Sequence, residues 1–280
     1  FSHICARADL IPDFAKPLEE TMAKALAKLA VIDSRRWISF LLDILPRLAD
    51  VNFAALSDAQ KRMMQMFYIT VWRKAADDWD GEEVLDNLYA LSDSTVLLNE
   101  LLELLRYRFE QIDFIDEPVD LGFDCPLDLH CPYTRDPILV AMDFMQPATV
   151  REGVQWLPDK QLDVFFVTLN KADKDYSPTT MYNDYSITES LFHWQSQSTT
   201  AETSSTGQRY IHHKERGSKV LLFVREFKAD RVTGGAEAYT YLGTARYVKH
   251  EGSRPMNITW QLDRPIPAKF LKKTNKLVVG

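Results

Sequence analysis

The hydrophobic period changes once along this chain, and that change limits the folds open to it. Over the first 110 residues apolar side chains recur every three or four positions, the repeat of amphipathic helices. From about Val154 they come instead in short runs rich in β-branched and aromatic residues, the pattern of strands. Between Ile112 and Cys131 a scatter of Asp113, Asp116, Glu117, Pro118, Asp120, Asp124, Pro126 and Asp128 breaks the helical period. The pattern predicts an α+β chain with a helical bundle over residues 1–115 and a β-rich domain over residues 116–280. Within the second domain, residues 116–150 are expected to form a linker and a short helix. A chain of 280 residues is long enough for two such domains.

Individual elements follow from the same pattern. Lys16 to Val31 places Leu18, Met22, Ala25, Leu26 and Leu29 at helical spacing behind Pro17. Asp33-Ser34 offers a cap for a helix carrying Trp37, Ile38, Leu41, Leu42 and Ile44, which Pro46 should end. Ser57 caps a third with Met63, Met64, Phe67, Tyr68 and Val71. Glu82 to Leu91 and Thr95 to Phe109 read as two more, the last with a leucine-rich face that suits a bundle core. A short helix is expected at Arg135 to Phe144, with Thr134 as its cap. Strands are expected at Asp163 to Leu169, Leu191 to Trp194, Gln208 to His212, Val220 to Phe227, Tyr239 to His250 and Asn257 to Leu262. Short strands at this spacing suggest a barrel or a sandwich.

Charge is divided unevenly. The net charge is -7, yet residues 160–280 hold 18 Lys and Arg against 12 Asp and Glu, while residues 1–159 hold 15 against 28. Such asymmetry suits a nucleic-acid-binding part joined to a part with another task. No apolar run approaches membrane-spanning length, so no membrane role is expected. The N-terminus lacks the pattern of a secretion signal and an initiator Met, which suggests a piece of a longer chain. Cys5, Cys125 and Cys131 form no C-x-x-C pair and suit reduced thiols in a cytoplasmic protein.

Catalytic motifs are missing. The sequence holds no G-x-x-x-x-G-K-S/T, G-x-G-x-x-G, H-E-x-x-H or G-x-S-x-G. Apart from the adjacent His212 and His213, which a strand would turn to opposite faces, no histidine has a second ligand at metal spacing. No catalytic residue, metal or cofactor is therefore expected. Binding chemistry is concentrated instead. Tyr182, Asp184 and Tyr185 precede Phe192, His193, Trp194, Gln195 and Ser196, setting aromatic rings beside amide, hydroxyl and carboxylate groups. Rings of this kind stack on an extruded base, and the polar groups read its edge. Asp184 would suit the exocyclic amino group of cytosine. Arg209 and His212 join this candidate set, and Lys171, Lys174, Lys214, Arg216 and Lys219 are the candidates for phosphate contact. A second reading makes Phe192 and Trp194 strand core residues with the tyrosines packed on them.

The segments 168–171 (TLNK), 181–185 (MYNDY), 191–197 (LFHWQSQ), 207–212 (GQRYIH), 222–226 (LFVRE), 241–243 (YLG) and 250–256 (HEGSRPM) carry a resemblance. Over residues 129–267 the chain resembles a C-terminal domain of unassigned function found in bacterial DEAD/DEAH-type helicases that also carry a phospholipase-D-like nuclease. The helical half resembles the segment before that domain. Some members of that group are type IV, modification-dependent restriction enzymes that cut DNA containing methylated cytosine. The resemblance implies a target-recognition domain similar to the base-flipping SRA and PUA-like barrels. Its partners would be double-stranded DNA carrying a modified base and the helicase and nuclease domains of the same parent chain. Neither helicase motifs nor a nuclease H-x-K motif occurs here, so the fragment itself is expected to be non-catalytic. The competing expectation is a protein-interaction or dimerisation module without base readout.

Overall fold

The computed structural model describes residues 1–170, 184–230 and 235–274. The chain divides into two compact units, Phe1–Thr149 and Val150–Gly280.

The first unit is helical among its described elements. It contains α1 (Ser2–Arg7), α2 (Lys16–Leu29), α3 (Arg35–Ile44), α4 (Asp58–Trp72), α5 (Glu82–Asp93) and α6 (Thr95–Gln111), then a two-residue strand β1 (Pro132–Tyr133) and α7 (Arg135–Val140). Local chemistry sets several starts. The Ser34 hydroxyl accepts the Trp37 N–H, and Ser57 and Gln60 form a reciprocal capping box ahead of α4. Thr134 occupies the cap position of α7, but its side chain makes no cap hydrogen bond. α4 runs through the middle of the unit, burying Met63, Met64, Met66, Phe67, Tyr68, Ile69 and Val71. A helix apolar on nearly all sides in this way belongs inside a bundle.

Residues 116–131, expected to link the domains, pack into this first unit. Asp128 is fully buried, and its carboxylate accepts from the Ser34 hydroxyl at 2.6 Å and from Arg36 Nη2 at 2.7 Å. A buried carboxylate is tolerated only when paired and hydrogen-bonded, and here the partners come from the start of α3. Cys125 and Cys131 are buried nearby as free thiols, and burial pushes Cys125 up to about 11.

The second unit is built on a sheet. Its strands are β2 (Val154–Leu157), β3 (Leu162–Thr168), β4 (Tyr185–Ser186), β5 (Leu191–Gln195), β6 (Lys219–Arg225), β7 (Tyr239–Glu251) and β8 (Asn257–Leu262). They lie in the order β2-β3-β6-β7-β8-β5-β4. All neighbours on this path are antiparallel except β3 and β6, which pair in parallel. The expected barrel is therefore corrected to an open sheet: β2 and β4 stand at opposite ends and do not pair. A parallel β3–β6 pair requires the chain to leave the sheet and return, which the spacing of strands along the sequence does not reveal.

A second correction concerns residues 208–212. They form no strand but belong to helix α8 (Ser205–Ile211) and its end. The Ser204 hydroxyl accepts the Gly207 N–H, so the Ser-Ser-Thr-Gly run is a helix start. Gly207 is required there, because a Cβ would lie 2.2 Å from the Ala201 carbonyl oxygen and 2.8 Å from that of Glu202. Helix α9 (Ala268–Thr274) follows β8.

One core cluster covers one face of the sheet, while Phe166, Phe223 and Tyr241 are buried on the other face of β3, β6 and β7. Phe165, Phe192, Trp194, Leu222, Leu242, Ile258 and Trp260 are buried together, with Tyr210 and Ile211 of α8 and Phe270 and Leu271 of α9 packed against them. The rings interlock: Phe165 stacks on Trp194 at 4.2 Å and meets Tyr210 and Trp260 edge-on. Offset-stacked and edge-to-face pairs add to what ring burial alone contributes.

Candidate functional site

Strand β5 alternates, as a half-buried strand should: Phe192 and Trp194 are buried while Leu191, His193 and Gln195 are half-buried. Period two therefore decides which of the predicted binding residues reach a surface. Phe192 and Trp194 point into the core just described, Trp194 being 5% exposed. Of the two readings of these rings, the structure follows the one that places them in the strand core. His193 and Gln195 lie on the opposite face, in its polar part over β4, β5 and β8.

Cross-strand register builds that polar face. His193 sits opposite Tyr185 of β4 on one side and opposite Thr259 of β8 on the other; Gln195 sits opposite Asn257 of β8. The Tyr185 and His193 rings stack, with centroids 4.8 Å apart and planes 12° from parallel. Beside them, Gln195 Nε2 donates to Asn257 Oδ1 at 2.9 Å, and Asn257 Nδ2 donates to the Glu251 carbonyl at 3.3 Å. On β7, Lys249 lies opposite Thr259 and Arg246 opposite Gln261, which adds two exposed cations to the same face. Both are in surface ion pairs, Lys249 with Glu251 and Arg246 with Asp263. Exposed pairs of this kind are worth roughly 0–1 kcal/mol, so a phosphate could replace the carboxylate at small cost.

Other predicted residues serve the framework. Asp184 is 2% exposed, and its Oδ1 accepts the Gln195 backbone N–H at 2.9 Å, so the carboxylate holds β5 instead of facing a base edge. Ser196 is fully buried: its N–H donates to the Met256 carbonyl and its hydroxyl accepts the Met256 N–H, both at 2.9 Å. These two bonds clamp the end of β5 to the start of β8. Arg209 makes a two-pronged pair with buried Asp163, at 2.8 and 2.9 Å, beneath the Trp156 ring. Burial pushes the Asp163 carboxyl up, against the pull of Arg209. His212, at the end of α8, faces Glu215 at 2.9 Å.

The expected phosphate contacts separate as well. Lys214 and Arg216 are exposed in the turn after α8, and Lys219 is half-buried at the start of β6. Because α8 covers the core face, that basic turn belongs to the side opposite His193 and Gln195. Tyr182, Lys171 and Lys174 lie outside the described residues. The sequence reading missed Asn257, Thr259 and Lys249, whose membership of the face depends on strand pairing. Among the described residues, no group of three or more His, Cys, Asp and Glu is placed to hold a metal, and no helix is long and apolar enough to cross a membrane.

A polar sheet face with this set of residues lies within a stretch, residues 127–273, that matches a family model described as a domain of unknown function (DUF3427). The chain belongs to the DUF3427 family. The match begins at Leu127, inside the helical unit, and runs through every strand of the sheet. No curated protein is significantly similar to the chain.

Proposed function

We propose that this DUF3427 chain is the DNA-recognition part of a modification-dependent restriction helicase-nuclease, reading an extruded base on the polar face of β4, β5 and β8. The observation that carries the reading is the Tyr185–His193 ring stack set directly beside the Gln195–Asn257 amide pair. A base extending the ring stack would bring its hydrogen-bonding edge to the amides, and Lys249 and Arg246 would meet the backbone. The platform is an open one, since Trp194 and Ser196 are interior. Methylated cytosine is the proposed target on the strength of the family resemblance set out above. The acidic helical unit, which exposes Ile4, Leu10 and Ile11, is proposed to dock on the helicase and nuclease domains of the parent protein.

The test is fluorescence anisotropy of the full chain with matched duplexes carrying plain, 5-methyl and 5-hydroxymethyl cytosine across a salt series. Base–aromatic stacking is worth roughly 1–3 kcal/mol per base, so His193→Ala should weaken the preferred duplex about 5- to 150-fold. Lys249→Ala should weaken all duplexes alike and flatten the salt dependence. Absence of DNA binding by the wild-type chain at low salt would overturn the reading and favour a protein-interaction face.

A further inference from the structure

We infer that Asn257 is a positioning residue that fixes the orientation of the Gln195 amide, so that the face selects bases whose Watson–Crick edge sets an amino group beside an unprotonated ring nitrogen. This rests on the DNA-recognition reading above. A side-chain amide has a donor end and an acceptor end, and an unrestrained glutamine turns over to offer either to a ligand. Gln195 is restrained at two points, and the partner at the second is itself held. Its backbone N–H is held by buried Asp184, its Nε2 donates to Asn257 Oδ1, and Asn257 is oriented by donating its own Nδ2 to the Glu251 carbonyl. The restraint is a direct cross-strand one, because Gln195, Asn257 and Glu251 are register partners on β5, β8 and β7.

With one Nε2 hydrogen committed to Asn257, the remaining capacity of the Gln195 head is Oε1 as acceptor and the second Nε2 hydrogen as donor. That pair complements an amino group next to an unprotonated ring nitrogen, which the Watson–Crick edges of adenine and cytosine present. Guanine and thymine offer a carbonyl next to a ring N–H at the same positions, the reverse order. Once the backbone contacts set which face of the base lies on the Tyr185–His193 platform, its edge has one order only, and an amide that cannot turn over discriminates. Preorganisation of this kind gives selectivity without further contacts.

The experiment measures binding of the full chain to four short duplexes that differ in one unpaired nucleotide, A, C, G or T. A well-placed bidentate contact discriminates by about 1–3 kcal/mol, so the wild type should prefer A and C over G and T about 5- to 150-fold. Asn257→Leu should bring that ratio to near one. Gln195→Met should also do so, and it keeps the strand's apolar stem if the first variant melts early. Lys249→Ala should lower all four affinities and leave the ratio unchanged. Wild-type binding with no preference for A and C, or an intact ratio in Asn257→Leu, overturns the inference and leaves the DNA reading standing. Loss of binding to all four by the wild type overturns the DNA reading itself.

Discussion

Replacing Trp194 by alanine should damage the fold of the sheet unit far more than it damages any surface. The ring is 5% exposed, stacks on Phe165 at 4.2 Å and meets Tyr210 edge-on at 5.5 Å, between strands β3 and β5 and helix α8. Truncating a buried Trp to Ala costs about 3–5 kcal/mol, because the transfer free energy is lost and a cavity remains. Domain stabilities are typically about 5–15 kcal/mol, so the change removes a large fraction of what holds the unit together. Urea denaturation followed by far-ultraviolet circular dichroism should show a lower midpoint at similar slope, and the melting temperature should fall by about 10–20 °C. His193→Ala, one position away on the polar face, should cost less than about 1 kcal/mol. A Trp194→Ala protein that melts within a few degrees of wild type would refute the assignment of this ring to the core.

The remaining expectations concern charge, pH and backbone approach. Arg209→Met leaves Asp163, with no exposed side-chain surface, as an uncompensated buried carboxylate; breaking such a pair costs about 3–5 kcal/mol, and adding Asp163→Asn should recover part of it in the same urea assay. His213 is buried, with Nδ1 donating to the Ser218 carbonyl and Nε2 accepting the Tyr247 N–H, both at 3.1 Å, so the neutral ring fits and burial lowers its affinity for a proton. Its contribution to stability is therefore complete above the unfolded-state value of about 6.5 and is lost as pH falls through the lower folded-state value, a slope that His213→Gln should reduce in urea midpoints measured from pH 7.5 to 5. Gly207→Ala should lower the melting temperature although alanine is the better helix former by about 1 kcal/mol, because the new Cβ would overlap the 201–202 backbone; a rise would refute the close approach.

Much of this fold was legible in local sequence. Helix starts at Ser34 and Ser57 followed from side chains that bond the next turn, and the strands carrying Phe165, Val220 to Arg225 and Tyr239 to His250 followed from β-branched and aromatic runs. Local signals failed where two readings share one composition. The run from Ser204 to Gly207 suits a turn or a helix start, and only its packing against Ala201 and Glu202 decides between them. Period two divided Phe192 and Trp194 from His193 and Gln195, but not which pair faced inward, since all four can be buried or exposed.

What the sequence alone determined is the order of elements, the shift from helix to strand and the stretch in which binding chemistry concentrates. Those are properties of neighbours along the chain, set by side-chain period and capping. The open sheet, the parallel β3–β6 pair and the polar face joining Tyr185, His193, Gln195, Asn257 and Lys249 were decided only by the tertiary structure. Each depends on which strands pair and in what register, and a slip of one residue would turn every one of these side chains to the other face. Register is fixed by burial of the ring cluster around Phe165, Trp194 and Trp260, contacts between residues far apart in the chain.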